Sequence, residues 1–151
     1  MALEKSFGQT VIFHNFIIIE SFYKGEYKVG VKEGQGIYEW SQGVRYEGDW
    51  KNNEMHGWGV FFNDDEKYEG EFIDGVYDGN GRLVESSGEI YEGRFRDGMK
   101  HGIGTIISQN GTKFKGEWRE DSKEGNGLYF DKRNNIHKQV WKDNKLLPNE
   151  D

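Results

Sequence analysis

The chain has 151 residues, of which 31% are charged, 34% hydrophobic and 15% aromatic, with 22 glycines, one proline and no cysteine. A net charge of −7 disfavours capture of nucleic acid or an anionic membrane surface, and zero cysteines exclude disulfide and thiol chemistry, which suits a reducing compartment. The aromatic content is too high for a disordered chain and the mean hydropathy too low for an ordinary packed globule, so each structural unit is expected to bury one face and wet the other.

The N-terminal stretch MALEKSFGQT has no basic region followed by a long apolar run, so no signal peptide is read there. The most apolar segment, Phe16-Ile17-Ile18-Ile19, falls far short of a membrane span. Residues 1–22 are expected to form an N-terminal cap, with Phe13–Phe22 as an apolar strand.

From Tyr23 a phrase repeats five times: 23–45, 46–67, 68–90, 91–113 and 114–136. A fixed period of this size marks an array of identical supersecondary units, so function belongs to a repeated surface. Each copy opens aromatic-x-Gly-x-aromatic, as in Tyr46-x-Gly48-x-Trp50, and continues after a short interval with Gly-x-Gly, as in Gly57-x-Gly59. The opening phrase has period two: Tyr46, Gly48 and Trp50 share one face of a strand, Glu47 and Asp49 the other.

A turn pair comes next in every copy: Val29-Gly30, Asn52-Asn53, Asp74-Gly75, Asp97-Gly98 and Glu120-Asp121. Asn- and Gly-containing pairs suit tight hairpins. The Gly-x-Gly phrase opens a second strand, and a second turn closes the unit at Gln42-Gly43, Ser87-Gly88 and Asn110-Gly111. The second copy is one residue shorter, and Asp64-Asp65 marks where that residue is missing. Each unit is therefore a β-hairpin, and the series predicts an all-β, single-layer antiparallel meander of about ten or more strands, on the order of 50 Å long at roughly 4.8 Å per strand. Glycines facing aromatics leave room for rings to lie on bare backbone, and the area a ring buries outweighs the cost of interior glycine. Residues 137–151 hold a degenerate sixth copy, which keeps Trp141 and an Asp143-Asn144 turn but loses its glycine, and a tail from Lys145 expected to fray or seek a partner.

The phrases Tyr46-Glu47-Gly48-Asp49-Trp50 … His56-Gly57-Trp58-Gly59 and Tyr91-Glu92-Gly93-Arg94-Phe95 … His101-Gly102-Ile103-Gly104 resemble the MORN repeat, and the resemblance covers residues 23–136. The other three copies carry Glu33, Asp78 and Glu124 where these two have histidine. The resemblance implies an elongated, twisted single-layer sheet with an aromatic groove. It also implies non-catalytic roles: scaffolding, binding of partner peptides, and linking of membranes to cytoskeletal structures such as cilia. Some members of the family have been proposed to bind phosphoinositides, and in others the repeats precede a separate enzyme domain.

No catalytic set stands out. His56 and His101 share a repeat position and are expected about 19 Å apart, too far for one metal ion. Glu47, Asp49, Glu69, Glu71 and Glu92 recur with the repeat and read as a solvated face rather than acid–base pairs, since a one-layer sheet has no closed cleft. The Gly-x-Gly phrases lack the helix that phosphate cradles need. No metal or cofactor is expected.

The candidate partner-binding residues are the rings expected on the glycine face. They are Tyr23, Tyr27, Tyr38, Trp40, Tyr46, Trp50 and Phe61, together with Tyr68, Phe72, Tyr91, Phe95, Phe114, Trp118 and Tyr129. Tyr and Trp are common interface anchors. Trp58, Val60, Phe62, Ile103 and Ile107 alternate out of phase with them. Either a bulge rephases the second strand or the opposite face is covered as well.

The expected function is a non-enzymatic scaffold that holds a peptide or helix of a partner protein along the groove, the carboxylate flanks favouring basic partners. The expected setting is cytoplasmic, in a cytoskeletal or ciliary assembly. A phosphoinositide adaptor at a membrane surface and an accessory subunit of a larger enzyme are the alternatives. No nucleic-acid partner is expected, and open sheet ends allow a homodimer through edge strands.

Overall fold

The computed structural model describes residues 5–13 and 16–148. The expectations for residues 1–4 and 149–151 lie outside the described residues. Among the described residues thirteen strands form one antiparallel sheet whose order is the chain order. They are β1 (Lys5–Phe13), β2 (Phe16–Lys28), β3 (Val31–Trp40), β4 (Arg45–Lys51), β5 (Glu54–Phe62), β6 (Glu66–Ile73), β7 (Val76–Glu85), β8 (Ile90–Arg96), β9 (Met99–Ile107), β10 (Lys113–Arg119), β11 (Ser122–Phe130), β12 (Ile136–Lys142) and β13 (Lys145–Leu146). The expected all-β meander is found. A 3₁₀ turn, Ser41–Gly43, interrupts the strands, and among the described residues no helix is long and apolar enough to cross a membrane. The chain divides into two units, Met1–Val76 and Tyr77–Asp151, and the packing is described within each.

The N-terminal cap differs from expectation. Phe16–Phe22 is the front of β2, which runs on without a break into Tyr23-Lys24-Gly25, and β1 pairs along it. Nothing between Ile19 and Tyr23 favours a turn, so one long strand replaces two short ones.

Every expected hairpin turn has positive φ at both central residues: Val29/Gly30, Asn52/Asn53, Asp74/Gly75, Asp97/Gly98, Glu120/Asp121, and Asp143/Asn144 in the degenerate copy. Such turns match the right-handed twist of the flanking strands. The turns also bond to the copy before. The second turn residue donates its N–H to a carbonyl in the preceding hairpin, as Asn53 does to Lys32 at 3.1 Å and Asp121 to Lys100 at 3.1 Å. Where that residue is Asn or Asp, its side chain accepts the returning N–H: Lys32 to Asn53 at 2.8 Å, Lys100 to Asp121 at 2.8 Å, Lys123 to Asn144 at 2.7 Å. A residue in left-handed backbone is thereby held by two hydrogen bonds, which offsets its conformational cost.

The acidic residues that stand where two copies have histidine belong to the same contact. Glu33, Asp78 and Glu124 accept the N–H of the next turn's first residue, Asn52, Asp97 and Asp143, at 3.1–3.2 Å. His56 meets the next turn through a side chain instead, its Nδ1 lying 3.5 Å from the Asp74 carboxylate. The closing loops explain the short second copy. Glu85 N–H donates to Glu89 C=O and Ser108 N–H to Thr112 C=O, four residues on, whereas Asn63 N–H reaches Glu66 C=O only three residues on.

The first glycine of each Gly-x-Gly marks a bulge. Between the pairs Gly48↔Gly59 and Trp50↔Met55, β4 supplies one residue and β5 three. Gly57 takes φ 60° there and Gly102 takes φ 65° in the fourth copy, backbone that a side chain would strain. Carboxylates bind the displaced N–H groups: Glu26 accepts from Gln35 at 3.1 Å and Asp49 from Trp58 at 2.8 Å. Asp49 therefore has a structural role that its alternation pattern does not reveal. Glu47 and Glu92 pair with Arg45 and Arg82 at 2.9 and 3.0 Å on exposed surface.

Candidate functional site

The second glycine of each Gly-x-Gly lies opposite the glycine of the opening phrase. The pairs Gly25↔Gly36 and Gly48↔Gly59 lie in the first unit, Gly93↔Gly104 and Gly116↔Gly127 in the second. Each opening ring lies flat on its own pair: Tyr23 over Gly36, Tyr46 over Gly59, Tyr91 over Gly104, Phe114 over Gly127, where any Cβ would overlap the ring. Opposite the bulge, the carbonyl of the residue after the opening-phrase glycine meets the ring's end. Tyr23, Tyr46, Tyr68 and Tyr91 donate their hydroxyls to Glu26, Asp49, Glu71 and Arg94 C=O at 2.8–3.0 Å. Burial pushes the phenol of Tyr23 up to about 12 and raises those of Tyr46 and Tyr91 strongly, because a tyrosinate would lose its water there.

The second aromatics stand edge-on between these rings. Trp50 is 5.2 Å from both Tyr23 and Tyr46, and Phe72 is 5.0 Å from Tyr46 and 5.1 Å from Tyr68. In the second unit Trp118 lies 5.3 Å from Tyr91 and 6.0 Å from Phe114. All are close to perpendicular, the arrangement favoured by ring quadrupoles. Trp50 and Trp118 donate their indole N–H to Gly36 and Gly104 C=O at 3.1 and 3.2 Å. Each ring thus has backbone below and ring edges on both sides.

One further repeat position completes the packing, and sequence reasoning missed it. It is the residue two places after the second residue of the turn pair: Lys32, Met55, Tyr77, Lys100 and Lys123. These lie across the strand from the second aromatic, as in Tyr27↔Lys32, Trp50↔Met55 and Trp118↔Lys123. The Lys32 ammonium sits 4.2 Å from the Tyr38 ring centre and 4.9 Å from that of Trp50; Lys123 sits 4.4 Å from Trp141 and 4.8 Å from Phe114. Burial lowers the pKa of both lysines. The recurrence of Lys, Met or Tyr at one repeat offset was the available signal, but a lysine between polar turn residues reads as surface.

The candidate rings therefore form two groups. Tyr23, Tyr46, Trp50, Tyr68, Phe72, Tyr91, Phe95, Phe114 and Trp118 are buried by one another. Tyr27, Tyr38, Trp40, Phe61 and Tyr129 are only partly buried. Tyr38, Trp40 and Phe61 adjoin in the first unit, with ring centres 4.4 Å apart for Tyr38–Trp40 and 6.2 Å for Trp40–Phe61. At the corresponding positions of the second unit Leu83 and Ile106 are buried; an inventory restricted to aromatics passes over them.

The expectation that carboxylates flank the rings is not met. Glu47 and Glu69 pair with Val60, and Glu92 with Thr105, on the face opposite the glycines. The charges resting on the rings are lysines. The bulge also leaves the opposite face as read from alternation. It precedes Trp58, so Trp58 and Val60 stay across from Glu71 and Glu69, and Trp58 and Ile103 are 53% and 55% exposed. His56 and His101 belong to different hairpins, on β5 and β9, and no group of three metal-ligating side chains exists among the described residues.

The family model for the MORN repeat matches the chain five times in succession, at residues 23–45, 46–65, 68–89, 91–113 and 114–134. These matches cover more than half of the chain, and the protein belongs to the MORN repeat family. MORN repeats are generally modules of protein or membrane interaction and not catalytic domains.

Proposed function

We propose that the protein is a non-enzymatic scaffold that holds a segment of a partner protein on its glycine-bearing face. The observation that supports this most is the cluster Tyr27, Tyr38, Trp40 and Phe61 in the first unit, partly exposed beside the half-buried Lys32. Aromatic anchors next to a partly desolvated cation fit a segment carrying apolar side chains and a carboxylate or a free backbone carbonyl. The partner is thus acidic rather than basic, because the charges that rest on the rings of this face are Lys32, Lys100 and Lys123, while Glu47, Glu69 and Glu92 stand on the other. A cytoskeletal or ciliary assembly in the cytoplasm is the setting proposed for it, either as a stand-alone scaffold or as an accessory subunit of a larger complex.

The test is co-purification with cross-linking, comparing the native chain with Tyr27→Ala/Trp40→Ala and with Lys32→Glu. Both variants should fold and lose the same partner. Recovery of that partner in undiminished yield would remove the reading.

A second reading rests on Lys100 and Lys123. Burial lowers the Lys123 pKa, and repulsion from Lys100 lowers it further, against the opposing pull of Glu89. A multivalent anion such as a lipid phosphate would relieve that repulsion. Flotation with phosphoinositide-containing vesicles, with and without Lys100→Gln/Lys123→Gln, decides it; absence of salt-sensitive binding by the native chain removes it.

A further inference from the structure

The face opposite the glycines carries opposite charge in the two units. Strand register and alternation place Lys24, Lys28, Arg45, Lys51 and Lys67 on that face of the first unit with Glu26, Glu39, Glu47, Asp49, Glu54, Glu69 and Glu71, a small excess of carboxylates. In the second unit the same face carries Arg82, Arg94, Lys113, Lys115 and Lys138 against only Glu92 and Glu117, an excess of cations. Both stretches also expose apolar side chains. Trp58 is 53% exposed in the first, and Ile103 and Val140 are 55% and 40% exposed in the second.

The two stretches share a motif with the sign reversed. Val60 is paired with Glu47 on one side and Glu69 on the other. Leu128 is paired with Lys115 on one side and Lys138 on the other. In each case an apolar residue is framed by like charges on the flanking strands. Lys115, Lys138 and Glu69 make no ion pair among the described residues. Leu128, Ile103, Val140 and the two lysines line an open trough of about 620 Å³.

We propose that this face is a self-association surface on which the acidic stretch of one copy packs against the basic stretch of a second. The Glu47–Val60–Glu69 row would face the Lys115–Leu128–Lys138 row. An apolar sheet face is ordinarily covered by a second layer, and stacked sheets pack about 10 Å apart, a distance that long Lys and Glu side chains span. A second copy is the occupant because it supplies both partners at once. An unrelated acidic or basic protein would satisfy one stretch and leave the other bare. The surface is separate from the partner site on the glycine-bearing face and does not depend on it.

Light scattering after gel filtration tests this at about 0.01 M and about 1 M ionic strength, where the Debye length falls from about 30 Å to about 3 Å. The native chain, 17.6 kDa as a monomer, should run at twice that mass or more at low ionic strength and dissociate at high. Glu47→Lys/Glu69→Lys and Lys115→Glu/Lys138→Glu should each weaken association by at least about a hundredfold, because like charges then oppose each other across the contact. An equimolar mixture of the two variants should recover the mass, since each supplies the charge the other lacks. A monomeric native chain, variants that associate undiminished (as in pairing through sheet ends), or a mixture that stays monomeric would each overturn the proposal. If a variant fails to fold, carbodiimide cross-linking of mixed isotope-labelled and unlabelled native chains serves instead. A Glu69–Lys115 link between copies supports the contact, and its absence overturns it.

Discussion

The fourth repeat and the hairpin of β12 and β13 carry one phrase in two states of preservation. In the fourth repeat Tyr91 is 1% exposed. It rests on Gly93 and Gly104, with Phe95 and Trp118 edge-on beside it. In the last hairpin Gln139 stands opposite Gly127, where the glycine row would continue. Trp141 is only partly buried there, and its indole donates to the Gln139 side chain at 3.1 Å rather than to a backbone carbonyl. The difference shows what buries a ring in a sheet with no second layer over this face. Hydrophobicity of the ring is not sufficient. Trp141 holds the place of Trp118, which is buried between Tyr91 and Phe114. It has Phe114 on one side, but the exposed His137 where the next opening ring would stand.

The sharpest way to break that comparison is at the floor. Gly104→Val would drive a side chain into the Tyr91 ring and should cost about 3 kcal/mol or more in urea unfolding. Gln139→Val, at the last hairpin's counterpart of Gly93, the partner of Gly104 in that floor, should change stability by less than about 0.5 kcal/mol. The walls come next. Trp118→Ala removes a buried ring and an indole hydrogen bond and should cost about 3–5 kcal/mol, while Trp141→Ala should cost less than half as much.

Alkaline pH probes the same packing without mutation. The tyrosine pKa values are raised in the folded chain above 10.0, so their contribution is complete below that pH and is lost as pH rises from 10 toward about 12. The tyrosinate absorbance of Tyr23, Tyr46 and Tyr91, read as the difference from their Tyr→Phe variants, should therefore appear together with loss of β-sheet circular dichroism; its appearance with the sheet intact would contradict the burial of these phenols.

The hydroxyl alone has a smaller effect. Tyr91→Phe leaves the Arg94 carbonyl without its donor and should cost about 1 kcal/mol. The reverse change, Phe114→Tyr in the fifth copy, should gain a similar amount by thermal unfolding. Smallest of all, Val29 has φ 49° and is 98% exposed, a conformation that a β-branched residue tolerates poorly. Val29→Asn, which matches the second copy, should stabilise the chain by about 0.5–1 kcal/mol.

Much of this geometry was legible from residue order. The Tyr-x-Gly-x-aromatic phrase with its turn pair predicts hairpins, which are found, but the register places glycine against glycine and ring against ring, where glycine across from an aromatic was expected. The short second copy loses its residue at Asp64-Asp65, in the closing loop. The N-terminal strand departs from expectation because the repeat boundary at Tyr23 carries no turn residue and so does not end a strand. The candidate surface was legible only in part. Alternation identifies which rings share a face, yet Tyr46 and Trp40 look equivalent in sequence while one is sealed and the other is partly open.

The sequence by itself determined the period, the left-handed turns and the sharing of faces, because these arise from strand alternation and from φ values that few residues accept. Only the tertiary structure decided which rings close over the glycines, that lysines rather than carboxylates rest on them, and that the opposite face changes sign between the units. Those properties arise where separate strands meet side by side, and they depend on what each residue touches rather than on what precedes it in the chain.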